Sequence, residues 1–380
     1  MRNPFQYGGV VRGDAFCNRK KELRDLLRAM ENGEKLFVYS ERRFGKTSLA
    51  QLALERLPKG RYRSAYVDLW STDSELTFVA ATARAIAESL STTSDKLLEM
   101  AKQFFSRLAP NVTLDHEGRP KLTFGVSGAG RAAELDEVLA APAEIAAHTR
   151  KRVVLVFDEI QQILEYETDL VERRLRSFVQ QQEAVSYIFL GSRKHLIQRM
   201  FTDRSRPLYR AAGHYPLGPI DEQDWFPFIR DKFLDSGKRI ADAEIRAVSR
   251  LTEGHPFYTQ HLCHALWELS ERETDVTGKL IDSAIDLLLE RERYAYTALW
   301  ESLAMNQRRF LKGLASEPGP VQPFAGEFVR KYGLRSASNA QRAVAALLEK
   351  DVIDRQNGSF LISDRFFKIW IQRMDLPQLP

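Results

Sequence analysis

Two apolar runs constrain the fold of this chain more than any other feature of its sequence. Residues 153–157 (Val-Val-Leu-Val-Phe) are apolar without interruption, and residues 185–190 are nearly so. Strands of this kind are buried on both faces, as in parallel sheets that are covered by helices. Further strand candidates lie at 35–39 and 65–70. Helical periodicity alternates with them at 20–31, at 46–56 and after residue 74. The alternation predicts an α/β fold with a parallel sheet and helical crossovers.

The rest of the chain divides where this rhythm changes. Between about 94 and 150 a helix at 97–108, an alternating hairpin around 115–118 and an Ala- and Glu-rich helix interrupt the alternation, which indicates an insertion. Only helical periodicity follows from 221 to about 291, and the tail ends in a hairpin with an Asn357-Gly358 turn. The predicted domains are therefore 1–220, with the insertion at about 94–150, an all-helical domain at 221–294 and a third domain at 295–380.

Composition excludes several classes of protein. The 380 residues are 44% hydrophobic and 28% charged, as is usual for soluble globular chains. No apolar run approaches the ~20 residues that span a bilayer, so we expect a cytoplasmic protein with no membrane partner. Cys17 and Cys263 are too few for a disulfide framework or a Cys-rich zinc site, and we expect two reduced, buried thiols.

The net charge of +5 is unevenly distributed. Residues 291–380 carry 14 Lys and Arg against 9 Asp and Glu, which accounts for the whole excess. This excess permits an acidic partner such as nucleic acid, but it is small compared with the positive charge of proteins that are dedicated to binding nucleic acid.

A candidate phosphate loop follows the first strand. Residues 40–48 read Ser-Glu-Arg-Arg-Phe-Gly-Lys-Thr-Ser and lead into a helix. Such a loop needs backbone N–H groups around the phosphates, a Lys that reaches the β- and γ-oxygens and a hydroxyl for Mg²⁺, and Gly45, Lys46 and Thr47 supply these. Ser40 replaces the usual leading Gly, and Glu41 adds a negative charge close to the phosphates. We expect ATP or ADP to bind here.

An acidic pair follows the apolar run at 153–157. Asp158 at the end of a buried strand can hold Mg²⁺, and Glu159 can orient or deprotonate the attacking water. The alternative is that both residues merely cap the next helix. Ser192 and Arg193 end the next strand, from which a polar or cationic group can touch a γ-phosphate.

The order of these motifs resembles the STAND group of AAA+-related P-loop ATPases, and most closely the archaeal-type ATPase family, over nearly the whole chain. The segment 42–48 looks like the family's phosphate loop, so the resemblance adds the flanking residues to the nucleotide site. Its nucleotide-binding residues would then be Arg43, Phe44, Gly45, Lys46, Thr47 and Ser48.

Other segments carry the same resemblance. Residues 16–23 are similar to a family segment beside the adenine, which implies a role for Arg19, with Asn18 where relatives often carry Gly. The resemblance makes Arg193 the γ-phosphate sensor and lets Arg210 serve the nucleotide or a neighbouring subunit. Gly254-His255-Pro256 resembles a lid motif whose Pro256 packs on the base.

Plain alternatives exist for several of these residues. Residues 254–256 can be a simple helix boundary with Pro at a first turn, and Arg210 can form a surface ion pair. The aromatic residues of the 221–235 segment recur at helical spacing and are better read as core than as a base-stacking platform. They are Trp225, Phe226, Phe228 and Phe233.

The tail at 295–380 resembles a winged helix with the 352–362 hairpin as its wing. The third helix of such a module reads bases in DNA-binding examples. Four residues at its start are chemically capable of this, namely Ser338, Asn339, Gln341 and Arg342. Equally, the module can pack as part of a switch, with 343–348 in its core.

Three functions remain open at this stage. The first is a STAND-type switch that binds ATP and hydrolyses it slowly, with self-association or a protein partner. The second is an ATP-dependent DNA-binding protein. Salt-sensitive binding of duplex DNA by the tail would favour this function. The third is a module that binds nucleotide without turnover.

Overall fold

The computed structural model describes residues 2–380 apart from a set of short gaps. These are 91–93, 115–119, 126–130, 193, 272, 318, 320, 357 and 375–380. Backbone contacts divide the chain into two units. The sheet unit comprises Arg19–Arg42 and Lys46–Gly218, and the helical unit comprises Met1–Asn18, Arg43–Gly45 and Pro219–Pro380.

The sheet unit contains seven strands among its described residues. They are β1 (Lys35–Tyr39), β2 (Tyr62–Asp68), β3 (Pro110–Leu114), β4 (Pro120–Phe124), β5 (Arg152–Asp158), β6 (Val185–Gly191) and β7 (Gly213–Pro216). Five of them form one parallel sheet in the order β2-β5-β6-β1-β7. The two apolar runs at 153–157 and 185–190 lie in β5 and β6. Residues 153–158 of β5 and every residue of β6 are buried, which confirms the predicted parallel sheet.

Helices cover this sheet. They are α1 (Lys20–Asn32), α2 (Lys46–Arg56), α3 (Glu75–Glu88), α4 (Ser94–Phe104), α5 (Arg131–Thr149), α6 (Leu170–Gln181) and α7 (Lys194–Thr202). The predicted insertion contains α4, the antiparallel β3–β4 pair and α5. The helix expected at 97–108 is wrong at its end, because α4 stops at Phe104 and a 3-10 turn takes over at Ser106–Leu108. The hairpin turn expected at 115–118 lies outside the described residues.

Strand β7 was not predicted. It has four residues, includes both Gly213 and Pro216, and is mostly exposed. It pairs with β1 at one edge of the sheet, so it lacks the apolar run that buried strands show.

The helical unit contains eight α-helices among its described residues. They are α8 (Glu222–Asp235), α9 (Asp242–Thr252), α10 (Pro256–Leu269), α11 (Gly278–Ser302), α12 (Met305–Ser316), α13 (Gly326–Lys331), α14 (Ala337–Glu349) and α15 (Arg365–Met374). Its strands are β8 (Arg239–Ile240) and β9 (Asp275–Val276), which form a short parallel pair, and β10 (Ile353–Gln356) and β11 (Ser359–Ile362), which form the antiparallel wing.

One continuous hydrophobic core holds this unit together. It extends from Phe5 and Cys17 through Trp225 and Phe233 to Ile371. Trp225 and Phe233 are fully buried, and Phe226 and Phe228 pack against the same cluster, so the aromatic residues of α8 are core as expected. Both cysteines are buried and free of disulfides. The domain boundary between 294 and 295 stays a prediction, and α11 runs through it without interruption.

Helix α15 is tied to the end of α9 by charge. Glu253 pairs with Arg365 at 3.0 Å and with Lys368 at 2.8 Å. Burial by itself raises the pKa of the Glu253 carboxyl, but the two cations outweigh burial and hold that pKa below its usual range. The winged-helix segment therefore belongs to the helical unit by ion pairs as well as by apolar packing.

Candidate functional site

The phosphate-loop segment curls between β1 and α2. Arg43 and Gly45 both have positive φ, 60° and 83°. A Cβ at Gly45 would meet nothing within 4 Å, so its backbone conformation, not crowding, favours glycine here. Helix α2 begins at Lys46 with no acidic residue in its first turn. The N-terminus of α2, the positive end of its dipole, follows the loop directly, which is the usual arrangement for binding phosphate.

Lys46 lies inside this loop. It is buried, and its Nζ donates to Ser40 Oγ and to the Glu41 carbonyl at 2.9 Å each, with the Ser40 carbonyl at 3.5 Å. The hydroxyl of Ser40 is thus a partner that the usual leading Gly could not supply. An ammonium group carries three donors. Phosphate oxygens that bind here would therefore replace the neutral oxygens of Ser40 and Glu41 as acceptors and would add negative charge next to Lys46.

Thr47 and Asp158 join α2 to β5. The Thr47 hydroxyl donates to Asp158 Oδ2 at 2.6 Å, and Asp158 is buried. Strands β1 and β5 are not neighbours, since β6 lies between them. The carboxyl ends of parallel strands share one edge of the sheet, and this brings together two residues that are 111 positions apart.

Asp158 has two further donors. The Tyr66 hydroxyl of β2 donates to the same Oδ2, and the backbone N–H of Glu159 donates to Oδ1 at 2.9 Å. Burial first, and then the charge of Asp158, raise the pKa of Tyr66, so its hydroxyl keeps its proton. The sequence reasoning missed Tyr66. Tyr66 lies two residues before Asp68, the last residue of β2, so these two side chains are on the same face of the strand.

The donor set of Thr47 and Asp158 fits Mg²⁺. Hydroxyl and carboxylate oxygens are hard ligands, and Mg²⁺ is usually held by one or two such groups together with phosphate oxygens and water. In the part of the chain that the structure describes, no cluster of three or more His, Cys, Asp or Glu could hold a metal unaided. The arrangement suits a cation that arrives with a nucleotide.

Glu159 is turned toward the end of β6. Its Oε2 accepts from Ser192 Oγ at 2.7 Å and from the Gln161 side-chain amide. The 3-10 helix Ile160–Glu165 that follows has no side-chain cap from Glu159, so the capping alternative does not describe what this carboxylate does. Sequence reasoning missed Gln161, although it lies only two residues after Glu159.

Gly191 keeps this corner narrow. A Cβ there would come within 2.1 Å of the Ile197 side chain and 2.7 Å of Gln161 Oε1. The end of β6 therefore has room for glycine alone next to Ser192.

Arg193, the predicted sensor, lies outside the described residues. Arg210 is exposed, has a positive φ of 51° and extends its guanidinium over the Tyr209 ring at 5.2 Å. No acidic side chain among the described residues forms an ion pair with Arg210. The segment before Arg210 is anchored, because Arg206 pairs with the buried Glu172 of α6 and Arg176 donates to the Tyr209 carbonyl at 3.0 Å.

Arg19 is buried at the start of α1 and pairs with Glu22 at 2.9 Å. Asn18 and Arg19 both have positive φ, 42° and 57°. Asn tolerates this region better than most residues, which accounts physically for Asn at the position where the family often carries Gly.

Residues 254–256 form a true helix boundary within the helical unit. Gly254 has a φ of 66°, and a Cβ there would lie 2.5 Å from the Ile220 carbonyl. Pro256 is the first residue of α10, and His255 caps that helix by accepting from the Phe257 N–H at 3.2 Å.

The same unit includes residues 43–45, the crest of the phosphate loop. The Phe44 ring meets His255 edge-on at 4.4 Å, and the Arg43 guanidinium lies over the Phe257 ring at 4.3 Å. The crest thus touches the residues on both sides of Pro256.

The start of α14 faces solvent. Ser336 caps the helix by accepting from the Asn339 N–H at 3.2 Å. Arg335, Ser338, Gln341 and Arg342 are exposed, whereas Ala340, Ala343, Val344 and Leu347 are buried in the core. The helix is therefore polar outward and apolar inward, and its first two turns remain available to a ligand. The wing-turn residue Asn357 lies outside the described residues.

A parallel sheet with a phosphate loop after β1, an acidic pair at the end of β5 and a C-terminal winged helix defines a P-loop ATPase fold. A family model described as an ATPase domain predominantly from Archaea matches residues 16–262. The chain belongs to this archaeal-type, AAA+-related family. A second model, described as a probable winged helix domain, matches residues 294–373.

Solved structures that are similar to this chain include the following two. The Walker-type ATPase PABY2304 of Pyrococcus abyssi is 16% identical with a TM-score of 0.66, covering 97% of this chain and 99% of its own. The ORC2 protein of Aeropyrum pernix, solved as ADPNP–ADP complexes, is 14% identical with a TM-score of 0.52 and 94% coverage of both chains. At these identities the likeness concerns the fold. No curated protein matches the chain.

Among the residues that the structure describes, no helix is both long and apolar enough to cross a bilayer.

Proposed function

We propose that this protein binds ATP together with Mg²⁺, hydrolyses it slowly and works as a STAND-type switch controlled by the bound nucleotide. The observation that carries the proposal is the Thr47–Asp158 hydrogen bond of 2.6 Å, which joins the phosphate-loop helix to the acidic strand end. A nucleotide ligand is also in keeping with the ADPNP–ADP complexes of the similar Aeropyrum pernix protein.

The roles follow from position and chemistry. Lys46 would bind the β- and γ-phosphates, while Thr47 and Asp158 would hold the cation, which when bound neutralises phosphate charge. Glu159, whose Oε2 is already oriented by Ser192 and Gln161, would orient the attacking water.

The remaining predicted residues complete the proposal. Backbone groups of Arg43, Phe44, Gly45 and Ser48 would surround the phosphates, with Arg19 and Pro256 near the base. Arg193 would sense the γ-phosphate, and the exposed Arg210 would serve the same nucleotide or that of a neighbouring subunit.

The switch part of the proposal rests on the crest of the loop. Arg43 and Phe44 contact Phe257 and His255, so a change in the loop on nucleotide exchange would reach the start of α10 directly. A two-state change of this kind is driven by the difference in nucleotide affinity between the states.

Binding at the loop can be tested with a matched pair of lysine variants. Lys46→Ala removes the charge that meets the phosphates and should abolish most ATP affinity in a calorimetric titration. Lys279→Ala alters another Lys that follows a Gly, but it is exposed at the start of α11 and should bind ATP like the wild type. Equal affinities for the two variants would place the nucleotide elsewhere.

Switching needs its own experiment. The purified protein is sized with ADP and with a non-hydrolysable ATP analogue, and we expect a change in assembly or shape between them. Identical profiles, together with tight binding and no turnover, would favour a static nucleotide-binding module.

A second candidate function is ATP-dependent binding of duplex DNA through the winged helix. The exposed polar start of α14, with Arg335 just before the helix and Arg342 within it, and the basic excess of the tail favour it. The charge excess is small, so we expect micromolar, weakly selective binding that falls steeply with salt.

A further inference from the structure

The Tyr66 hydroxyl is bonded to the carboxylate that the proposed function assigns to the metal. It donates to Asp158 Oδ2, the oxygen that also accepts from the Thr47 hydroxyl at 2.6 Å. Tyr66 itself lies on neither the phosphate loop nor the acidic strand, but on β2 at the sheet edge.

The register of the sheet explains this contact. Tyr66 pairs with Val156, and Asp68 pairs with Asp158, so Tyr66 and Asp158 are diagonal neighbours on adjacent parallel strands. Both side chains lie on the same face of the paired strands, so a long aromatic side chain can reach from one strand to the other. The pairing of β2 with β5 is therefore enough to bring the Tyr66 hydroxyl to the Asp158 carboxylate.

We propose that Tyr66 is a positioning residue that orients Asp158 for the divalent cation of the bound nucleotide. This inference rests on the proposed function. If Thr47 gives up its bond to Oδ2 in order to serve as a metal ligand, Tyr66 remains as a side-chain donor to that oxygen. The Glu159 N–H continues to hold Oδ1 at 2.9 Å, so both carboxylate oxygens stay fixed.

Two effects of the Tyr66 hydroxyl oppose each other. Its donation withdraws some charge from Oδ2, which weakens the attraction for a cation, and it also fixes the rotamer of the carboxylate, which strengthens binding. Removing the outer partners of metal ligands usually lowers metal affinity, by about 10–100-fold. Orientation therefore dominates, and we expect a change at the lower end of that range, because the charge effect works against it.

The test measures the Mg²⁺ dependence of ADP affinity in the full chain. The protein is first freed of metal, and its affinity for ADP is then determined at increasing Mg²⁺ concentrations. The midpoint, which is the Mg²⁺ concentration that gives half of the full change in ADP affinity, is compared between variants. Tyr66→Phe should raise this midpoint about tenfold, with ADP affinity in the absence of Mg²⁺ within about twofold of wild type.

A matched control separates this role from general support of the strand. Tyr62 lies on the same face of β2 four residues earlier and has no hydroxyl partner among the described residues. Tyr62→Phe should leave the midpoint unchanged. Tyr66→Met also lacks the hydroxyl, fills the same partly buried space and serves if Tyr66→Phe does not fold.

The outcomes distinguish the inference from the proposed function. An unchanged or lowered midpoint in a folded Tyr66 variant, with a clear Mg²⁺ dependence in the wild type, overturns the role of Tyr66 alone. A wild-type protein whose ADP affinity ignores Mg²⁺ overturns the metal part of the proposed function and the inference with it.

Discussion

Replacing Glu159 by Gln separates nucleotide binding from hydrolysis. The substitution keeps the size and shape of the side chain and removes the charge that would orient or deprotonate the attacking water. Glu159 is not among the residues proposed to hold phosphate or metal, so we expect Glu159→Gln to bind ATP normally and to lose turnover.

The magnitude follows from the contacts of this carboxylate. Ser192 Oγ at 2.7 Å and the Gln161 amide donate to the same oxygen, Oε2. A glutamine carbonyl oxygen can accept both bonds, so the side chain stays in place and loses only its charge. A positioned general base contributes about 10²–10⁴-fold to a rate. At 1.36 kcal/mol for each factor of ten, this is about 2.7–5.4 kcal/mol of activation free energy.

The cost to folding is much smaller than this catalytic effect. Hydrogen bonds to a charged group contribute about 1.5–3 kcal/mol, against about 0.5–1.5 kcal/mol for neutral pairs. We therefore expect the variant to remain folded with a stability lowered by about 1–2 kcal/mol.

The assay is phosphate release in a single turnover with Mg²⁺ and ATP, together with an ATP titration of the same preparation. Glu167→Gln is the control, because Glu167 is exposed on the segment after the 3-10 helix. A Glu159→Gln rate within about threefold of wild type, well short of the 100-fold minimum expected for a general base, would refute the assignment of Glu159 to the water.

Three further changes test other parts of the molecule. Gly254→Ala should destabilise the protein by about 2 kcal/mol or more in urea denaturation, because the residue has positive φ and its Cβ would lie 2.5 Å from a backbone oxygen; Gly278→Ala, with open space around it, should change little. Burial, with nearby positive charges, lowers the pKa of His261 to about 4, so the unfolded chain takes up the proton first and stability should fall by about 2 kcal/mol from pH 7 to pH 5. His261→Phe should remove that part of the pH dependence, and an unchanged dependence would contradict it. Finally, Arg335→Glu/Arg342→Glu should abolish any low-salt binding of duplex DNA and leave ATP binding intact; DNA binding that survives the charge reversal would remove α14 as its site.

Much of the sheet and the phosphate loop could be predicted from local sequence. The apolar runs of β5 and β6 announce strands that are buried on both faces, and the order strand, Gly-Lys-Thr, helix is contiguous in the chain. The acidic pair directly follows the apolar run 153–157, so it is also visible in neighbouring residues. These features depend only on residues that are neighbours in the chain, so they can be predicted from a single sequence.

Other features depend on strand order, which local patterns do not contain. Tyr66 reaches Asp158 because β2 pairs with β5 in one register, and Thr47 reaches it because the strands end at one edge. Strand β7 has no apolar signal, since it is exposed and paired on one side with β1.

The positive-φ positions show the same division. A Gly such as Gly254 marks a turn in the sequence, but the carbonyl that requires it belongs to Ile220, more than thirty positions earlier. The sequence by itself determined the α/β class, the loop with Lys46 and the acidic pair, because residues close in the chain create those patterns. Only the tertiary structure decided which distant side chains complete the site, because a hydrogen bond between Tyr66 and Asp158 exists only once β2 and β5 have paired in the sheet.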